Sequence, residues 1–146
     1  MKNENYMTLE FPSRSCNEAF ARSAVACFAA QLDPTLDELG DIKTAVSEAV
    51  TNCIVHAYPD SLGPVILKAR ILPDHVLDIV VKDRGKGIED IEQARKPMFT
   101  TGGEERSGMG ITIMESFMTD FKLSSTPEKG TTVHMKRKII RRSGKK

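Results

Sequence analysis

Residues 36–58 read LDELGDIKTAVSEAVTNCIVHAY, and the fold turns on how this stretch is spaced. Leu39, Ile42, Val46, Ala49, Val50, Cys53 and Ala57 recur at three- and four-residue intervals, the single apolar stripe of a helix that packs on a core. Thr35, with Glu38 three residues later, has the pattern of a capping box and starts that helix. The expected helix runs from Leu36 to Tyr58. Glu48, Asn52 and His56 recur every fourth residue on a second strip, roughly 110° to 150° round from the first. The residues flanking it, Ala45, Thr51 and Val55, are small or apolar, whereas an ordinary solvent face favours Lys and Glu pairs. Taken alone, the strip is equally consistent with a satisfied polar patch.

Upstream, Met7, Leu9 and Phe11 alternate as a short strand does, and residues 12–15 break it. A helix is expected from about Cys16, with Ala19, Phe20, Ser23, Ala24, Cys27, Phe28 and Leu32 on one stripe, ended by Asp33-Pro34. Downstream, the β-rich runs 65–72 and 76–82 flank Pro73-Asp74 and predict an antiparallel hairpin. Residues 83–110 hold six of the ten glycines, and a polar segment of that length has the character of a functional loop. A third helix is expected at 111–118, then strands at 120–125 and 131–140. The order β, α, α, β, β, loop, α, β, β describes an α+β, two-layer sandwich: three helices on one face of a mixed, mainly antiparallel sheet.

The 146 residues suit one domain, expected over 1–140 with a basic frayed tail at 141–146. A 40% hydrophobic and 28% charged composition is that of a soluble globule, and no apolar run is long enough to span a bilayer. Residues 1–11 lack the pattern of a secretory signal, so a cytoplasmic location is expected. Cys16, Cys27 and Cys53 are odd in number and show no CxxC spacing; they read as reduced core thiols. Residues 136–146 carry seven Lys and Arg and no acid, leaving the rest at net −6. An acidic body repels phosphate backbones, which disfavours direct nucleic-acid binding.

Three further pieces carry chemistry. Asp83-Arg84-Gly85-Lys86-Gly87 follows a Val- and Ile-rich strand. An Asp at a buried strand end can accept from an exocyclic amine such as that of adenine, and Gly85 and Gly87 let backbone approach the ring. The same pattern is also a common turn sequence. Ser107-Gly108-Met109-Gly110 precedes an apolar helix, whose free N–H groups and dipole suit phosphate oxygens, and Arg106 beside it could grip a terminal phosphate. Gly130-Thr131 opens the last strand.

Glu48-x-x-x-Asn52, Asp83-x-Gly85-x-Gly87, Gly108-x-Gly110 and Gly130-Thr131 stand in the order of the N, G1, G2 and G3 boxes of the GHKL superfamily of ATP-binding proteins. The chain resembles the anti-sigma factor serine kinases of that superfamily, notably in Ser47-Glu48-Ala49-Val50-Thr51-Asn52 and in residues 99–101, 105–110 and 31–39. Within that group it looks most like the sporulation sigma-F type. The resemblance implies the Bergerat ATP-binding fold, ATP and Mg²⁺ as cofactors, Asn52 on the metal, and Asp83 with Thr131 on adenine. It also implies Glu48 as the base acting on a serine of an anti-anti-sigma partner, Arg106 on the γ-phosphate, and a lid over 89–105. A homodimer built from the first strand and helix is implied too, with Glu18 and Arg22 meeting a sigma factor. Two departures stand out: a short lid and His56-Ala57-Tyr58 in place of the commoner His-Gly-Tyr. A histidine kinase core would need a phosphoacceptor helical hairpin before Leu36, and His56, His75 and His134 lie in the wrong elements for that role. The remaining alternatives are a nucleotide-gated sigma-binding module without significant catalysis and a stress-response kinase of the same group.

Overall fold

Alternation at the N-terminal end produces strand β1 (Asn5–Pro12), and helix α1 (Asn17–Ala29) follows, closed by a short 3₁₀ turn (Ala30–Leu32). The computed structural model describes residues 5–88 and 107–140. Helix α2 (Leu36–Asn52) begins with the expected capping box: Thr35 accepts from the Glu38 N–H, and the Glu38 side chain accepts from the Thr35 N–H. The helical hydrogen bonding then widens to a π-turn over Cys53–Ala57, so the single helix expected through Tyr58 is two unlike pieces. Such π-turns concentrate at functional sites. Strands β2 (Pro64–Leu72) and β3 (Val76–Asp83) form the expected hairpin. Helix α3 (Ser107–Phe117), β4 (Asp120–Thr126) and β5 (Gly130–Lys138) complete the chain order.

The five strands lie in the order β1-β2-β3-β5-β4, and every neighbouring pair is antiparallel rather than mixed. Side chains alternate across the sheet. Val65, Leu67, Ala69 and Ile71 of β2, Leu77, Ile79 and Val81 of β3, and Val133 and Met135 of β5 are buried with helix residues in one core cluster. Ile42, Val46, Ala49, Val50 and Cys53 of the α2 stripe lie in it, each large aliphatic side chain contributing about 1.5–3 kcal/mol.

The stripe expected on α1 is rotated. Ala21, Val25, Phe28, Ala29 and Leu32 are buried, while Ala19, Phe20, Ser23 and Cys27 are exposed. In an Ala-rich helix, two candidate faces differ by one residue of phase, and tertiary packing selects between them. Two of the three presumed core thiols are therefore on the surface: Cys16 and Cys27 are exposed and only Cys53 is buried. Helix α3 begins four residues earlier than expected, so Gly108 and Gly110 lie inside its first turn rather than ahead of it. No helix among the described residues is long and apolar enough to cross a membrane.

Candidate functional site beside the long helix

The polar strip of α2 faces the first turn of α3. A Cβ placed on Gly110 would lie 3.0 Å from Glu48 Oε1 and 3.5 Å from both Asn52 Nδ2 and Oδ1. Glu48 and Asn52 are half-buried, so both side chains sit between the two helices and neither is on an ordinary solvent face. The glycine lets the helix backbone, whose leading N–H groups are free to meet phosphate, come close to a carboxylate and an amide.

The π-turn that continues α2 reaches the second half of the site. Asp83, 5% exposed at the end of β3, accepts at Oδ1 from the N–H groups of Gly85 (2.9 Å) and Thr131 (3.2 Å). Its Oδ2 accepts from the Cys53 thiol at 3.5 Å. These bonds fix the carboxylate at the strand end and leave it lone pairs for a ligand amine. Burial pushes the Cys53 thiol well above its ordinary value, and the charge of Asp83 and the bond it accepts push the same way, so Cys53 stays a neutral donor.

Close backbone approach explains the glycines around Asp83. A Cβ on Gly85 would lie 2.3 Å from the Ala57 carbonyl oxygen and 2.6 Å from the Ala57 Cβ, so Ala57 in the His-Ala-Tyr sequence is accommodated against a residue that has no side chain. The Lys86 N–H donates to that carbonyl at 3.1 Å. Gly130, at φ +127°, lies against the Asp83 carbonyl, where a Cβ would approach to 2.2 Å. Gly87 adopts φ +76° beside the Thr126 carbonyl.

Three contributors were not singled out from sequence. The Ser125 hydroxyl lies 2.8 Å from Thr131 Oγ1 and accepts from the Ile88 N–H at 2.7 Å, joining the β4–β5 turn to the loop after β3. The Tyr58 hydroxyl donates to the Pro64 carbonyl (2.8 Å) and accepts from the Arg84 N–H (2.6 Å). Its ring covers Gly63, and burial raises its pKa. Cys53 is the third. Ser125 and Cys53 have no motif, because they act through strand register and turn geometry; Tyr58 stands in the His-Ala-Tyr sequence, which offered the one signal.

The structure thus brings Glu48, Asn52 and Gly110 together at one end, and Asp83, Gly85, Gly87 and Thr131 at the other, joined through Asn52-Cys53. Ser107, Gly108 and Met109 form the leading turn of α3. Arg106, the lid expected over 89–105 and the basic tail at 141–146 lie outside the described residues. Glu18 and Arg22 are elsewhere, on α1, paired with each other at 2.9 Å.

Residues 11–137 match the family described as Histidine kinase-like ATPase domain. An anti-sigma F factor of Caldanaerobacter subterraneus is 56% identical over 97% of this chain and 99% of its own length. The chain belongs to the anti-sigma F factors of the histidine kinase-like ATPase family. Another member of these anti-sigma F factors, from Bacillus subtilis, is 55% identical over 92% of each chain. Among solved structures, the RsbU and RsbW domains of a Mycobacterium tuberculosis protein superpose with a TM-score of 0.70 at 18% identity, over 94% of this chain and 33% of that one. The histidine kinase domain of a blue-light activated kinase from Erythrobacter litoralis gives 0.58 at 20% identity, over 84% and 60%. These two likenesses place the histidine kinase-like ATPase fold on this anti-sigma F factor relative.

The donor set suits the ATP that an ATPase domain of this family binds: α3 leads with free N–H groups beside Glu48 and Asn52, and Asp83 Oδ2 keeps a lone pair for an amine.

Proposed function

We propose that this protein is an ATP-dependent serine kinase and anti-sigma factor: it sequesters a sigma-F-type sigma factor and phosphorylates a serine of the anti-anti-sigma antagonist. The observation that carries the reading is the approach of Glu48 and Asn52 to Gly110 at the leading turn of α3. ATP, bound with Mg²⁺, supplies the phosphoryl group. Asp83 and the Thr131 segment hold the adenine edge, Gly85 and Gly87 let the loop after β3 close against Ala57 and Thr126 beside it, and Ser107 to Gly110 direct N–H groups at phosphate oxygens. Asn52, an oxygen donor of the kind Mg²⁺ takes, would hold that metal, which would supply positive charge to the phosphates. Glu48 takes the proton of the incoming serine hydroxyl, and the half-buried position between α2 and α3 keeps the carboxylate aimed at it. Arg106 is the group assigned to the terminal phosphate.

Action on a sigma factor implies the cytoplasm and needs no direct contact with nucleic acid or membrane. Residues 1–140 act as one ATPase domain. The exposed apolar residues of its first two elements, Tyr6 on β1 and Phe20 on α1, support a homodimer through that surface; Phe20 also stands edge-on to Phe11, ring centres 6.4 Å apart. Glu18 and Arg22 on α1 meet the sigma factor.

The test is phosphoryl transfer from labelled ATP to the purified antagonist. Glu48→Gln lowers the rate by about 10²- to 10⁴-fold, the usual contribution of a positioned base, with sigma-factor binding retained. Transfer by Glu48→Gln at the wild-type rate would remove Glu48 as the base, and no transfer by the wild type itself would leave a nucleotide-gated binding module without catalysis.

A further inference from the structure

Between α1 and α2 lies a groove of about 320 Å³ lined by Glu18, Arg22, Gly40, Lys43, Thr44 and Ser47. Glu18 is tied down through one oxygen: its Oε2 accepts from Arg22 Nε at 2.9 Å and from the Ser47 hydroxyl at 2.6 Å. Arg22 spends only Nε on that pair, and its Nη groups have no hydrogen-bond partner among the described residues. Lys43, on the opposite wall, has no ion-pair or hydrogen-bond partner among the described residues either.

Gly40 is the least explained residue in this groove. It lies in the interior of α2 with nothing within 4 Å of the position of a Cβ, so neither packing nor close approach of a neighbour within the chain requires glycine there. A glycine at such a site weakens a helix relative to alanine. One turn earlier on the same face is Leu36, 88% exposed. The row Leu36, Gly40, Lys43 and Thr44, Ser47 on α2 therefore runs from an uncovered apolar side chain, past a gap, to Lys43, with Arg22 of α1 lining the same groove.

We propose that this groove receives a segment of the sigma factor in which an apolar side chain covers Leu36 and a neighbouring carboxylate passes over Gly40 to be held by Arg22 Nη and Lys43 Nζ. Charge selects this occupant: Glu18 and Arg22 offset one another, Lys43 leaves the groove net positive, and the Arg22 Nη groups still offer the paired N–H donors that match a carboxylate. Gly40 keeps the helix surface low enough for the incoming chain. The proposal rests on the reading that Glu18 and Arg22 meet the sigma factor, and it extends that contact from α1 onto α2.

The test measures binding of the purified sigma-F-type factor to the full chain with ATP present, by calorimetry, with thermal unfolding of each variant as the check on folding. Gly40→Gln puts a better helix former into open space, so its melting temperature equals or exceeds that of the wild type while sigma affinity falls at least tenfold. Lys43→Glu also loses at least tenfold. Arg22→Glu reports separately on the underlying reading. If both α2 variants bind as the wild type does and Arg22→Glu does not, the groove is overturned and the contact on α1 stands; wild-type affinity in all three overturns both. If the α2 variants lose antagonist phosphorylation but keep sigma affinity, the assignment of the occupant is overturned.

Discussion

Cys53 donates its thiol to Asp83 Oδ2 at 3.5 Å, joining the π-turn after the long helix to the carboxylate at the end of β3. The contact spans the two halves of the candidate site. It depends on the wider turn, because Cys53 is the first residue at which the helical spacing loosens. The same turn presents the Ala57 carbonyl to the Lys86 N–H and to the face of Gly85.

The three thiols are therefore chemically unlike. Cys16 and Cys27 are exposed, whereas Cys53 is buried with its pKa raised well above the ordinary 9.0, by burial first and then by Asp83. Thiolate is the reactive form, so a native protein titrated with a disulfide reagent at pH 8 reacts at two thiols promptly and at the third only on unfolding. The sign for stability follows: the unfolded thiol ionises above about pH 9 while the folded one does not, so this contribution is full below pH 9 and is lost as pH climbs above it. Three thiols reacting at one rate would contradict this arrangement.

Glu38 ties the start of α2 to the residues after β5. It is 6% exposed; Oε1 closes the capping box with Thr35, and Oε2 accepts from the Ile140 N–H at 3.0 Å. Burial alone would raise its pKa, but the hydrogen bonds from Ile140 and Thr35, with the charge of Arg137, hold it below the ordinary 4.5. Its stabilisation is thus present above pH 4.5 and fades as pH falls through the lowered folded value. Glu38→Ala should cost about 1–2 kcal/mol at pH 7, read by urea unfolding, and should flatten the loss of stability below pH 4.5. A variant with unchanged acid sensitivity would assign that sensitivity to other carboxylates.

Gly130 stands at φ +127° with the Asp83 carbonyl where a Cβ would go. Gly130→Ala combines a disfavoured backbone with a collision against main chain, which cannot swing aside as a side chain can. A loss of at least about 1 kcal/mol is expected, together with weaker nucleotide binding, since the Thr131 N–H is held on Asp83 by this turn. Thermal unfolding and nucleotide titration of the same sample check both.

The legible parts of this chain were those where local chemistry and global packing agree. The Thr35–Glu38 box, the α2 stripe and the Pro73-Asp74 hairpin stand where spacing put them. On α1, small residues cover most of the surface, so hydrophobic contrast is too weak to fix the phase, and the exposed Phe20 misdirects it. The placement of Glu48 and Asn52 against Gly110 was expected from the four motifs in order, not from any one of them. The π-turn, the role of Cys53 and the bonds of Ser125 were not legible. Each depends on which atoms the closed sheet brings opposite one another, and no residue pattern encodes that.

Gly110 offers a way to separate positioning of the base from nucleotide binding. An added Cβ would lie 3.0 Å from Glu48 Oε1, tighter than an ordinary contact, and 3.5 Å from the Asn52 amide, within ordinary contact. The carboxylate is the far end of a flexible side chain, so it yields by rotating away from the helix, while Asn52 has no need to move. Gly110→Ala should therefore keep nucleotide affinity within a few-fold of wild type and lower kcat for transfer to the antagonist by about tenfold to a hundredfold, the scale expected when a reacting group is displaced by a fraction of an ångström to one ångström. Steady-state kinetics with varied ATP, beside a direct nucleotide titration, separates the two effects. A rise in KM for ATP at unchanged kcat would instead assign Gly110 to phosphate contact alone and detach Glu48 from the chemistry.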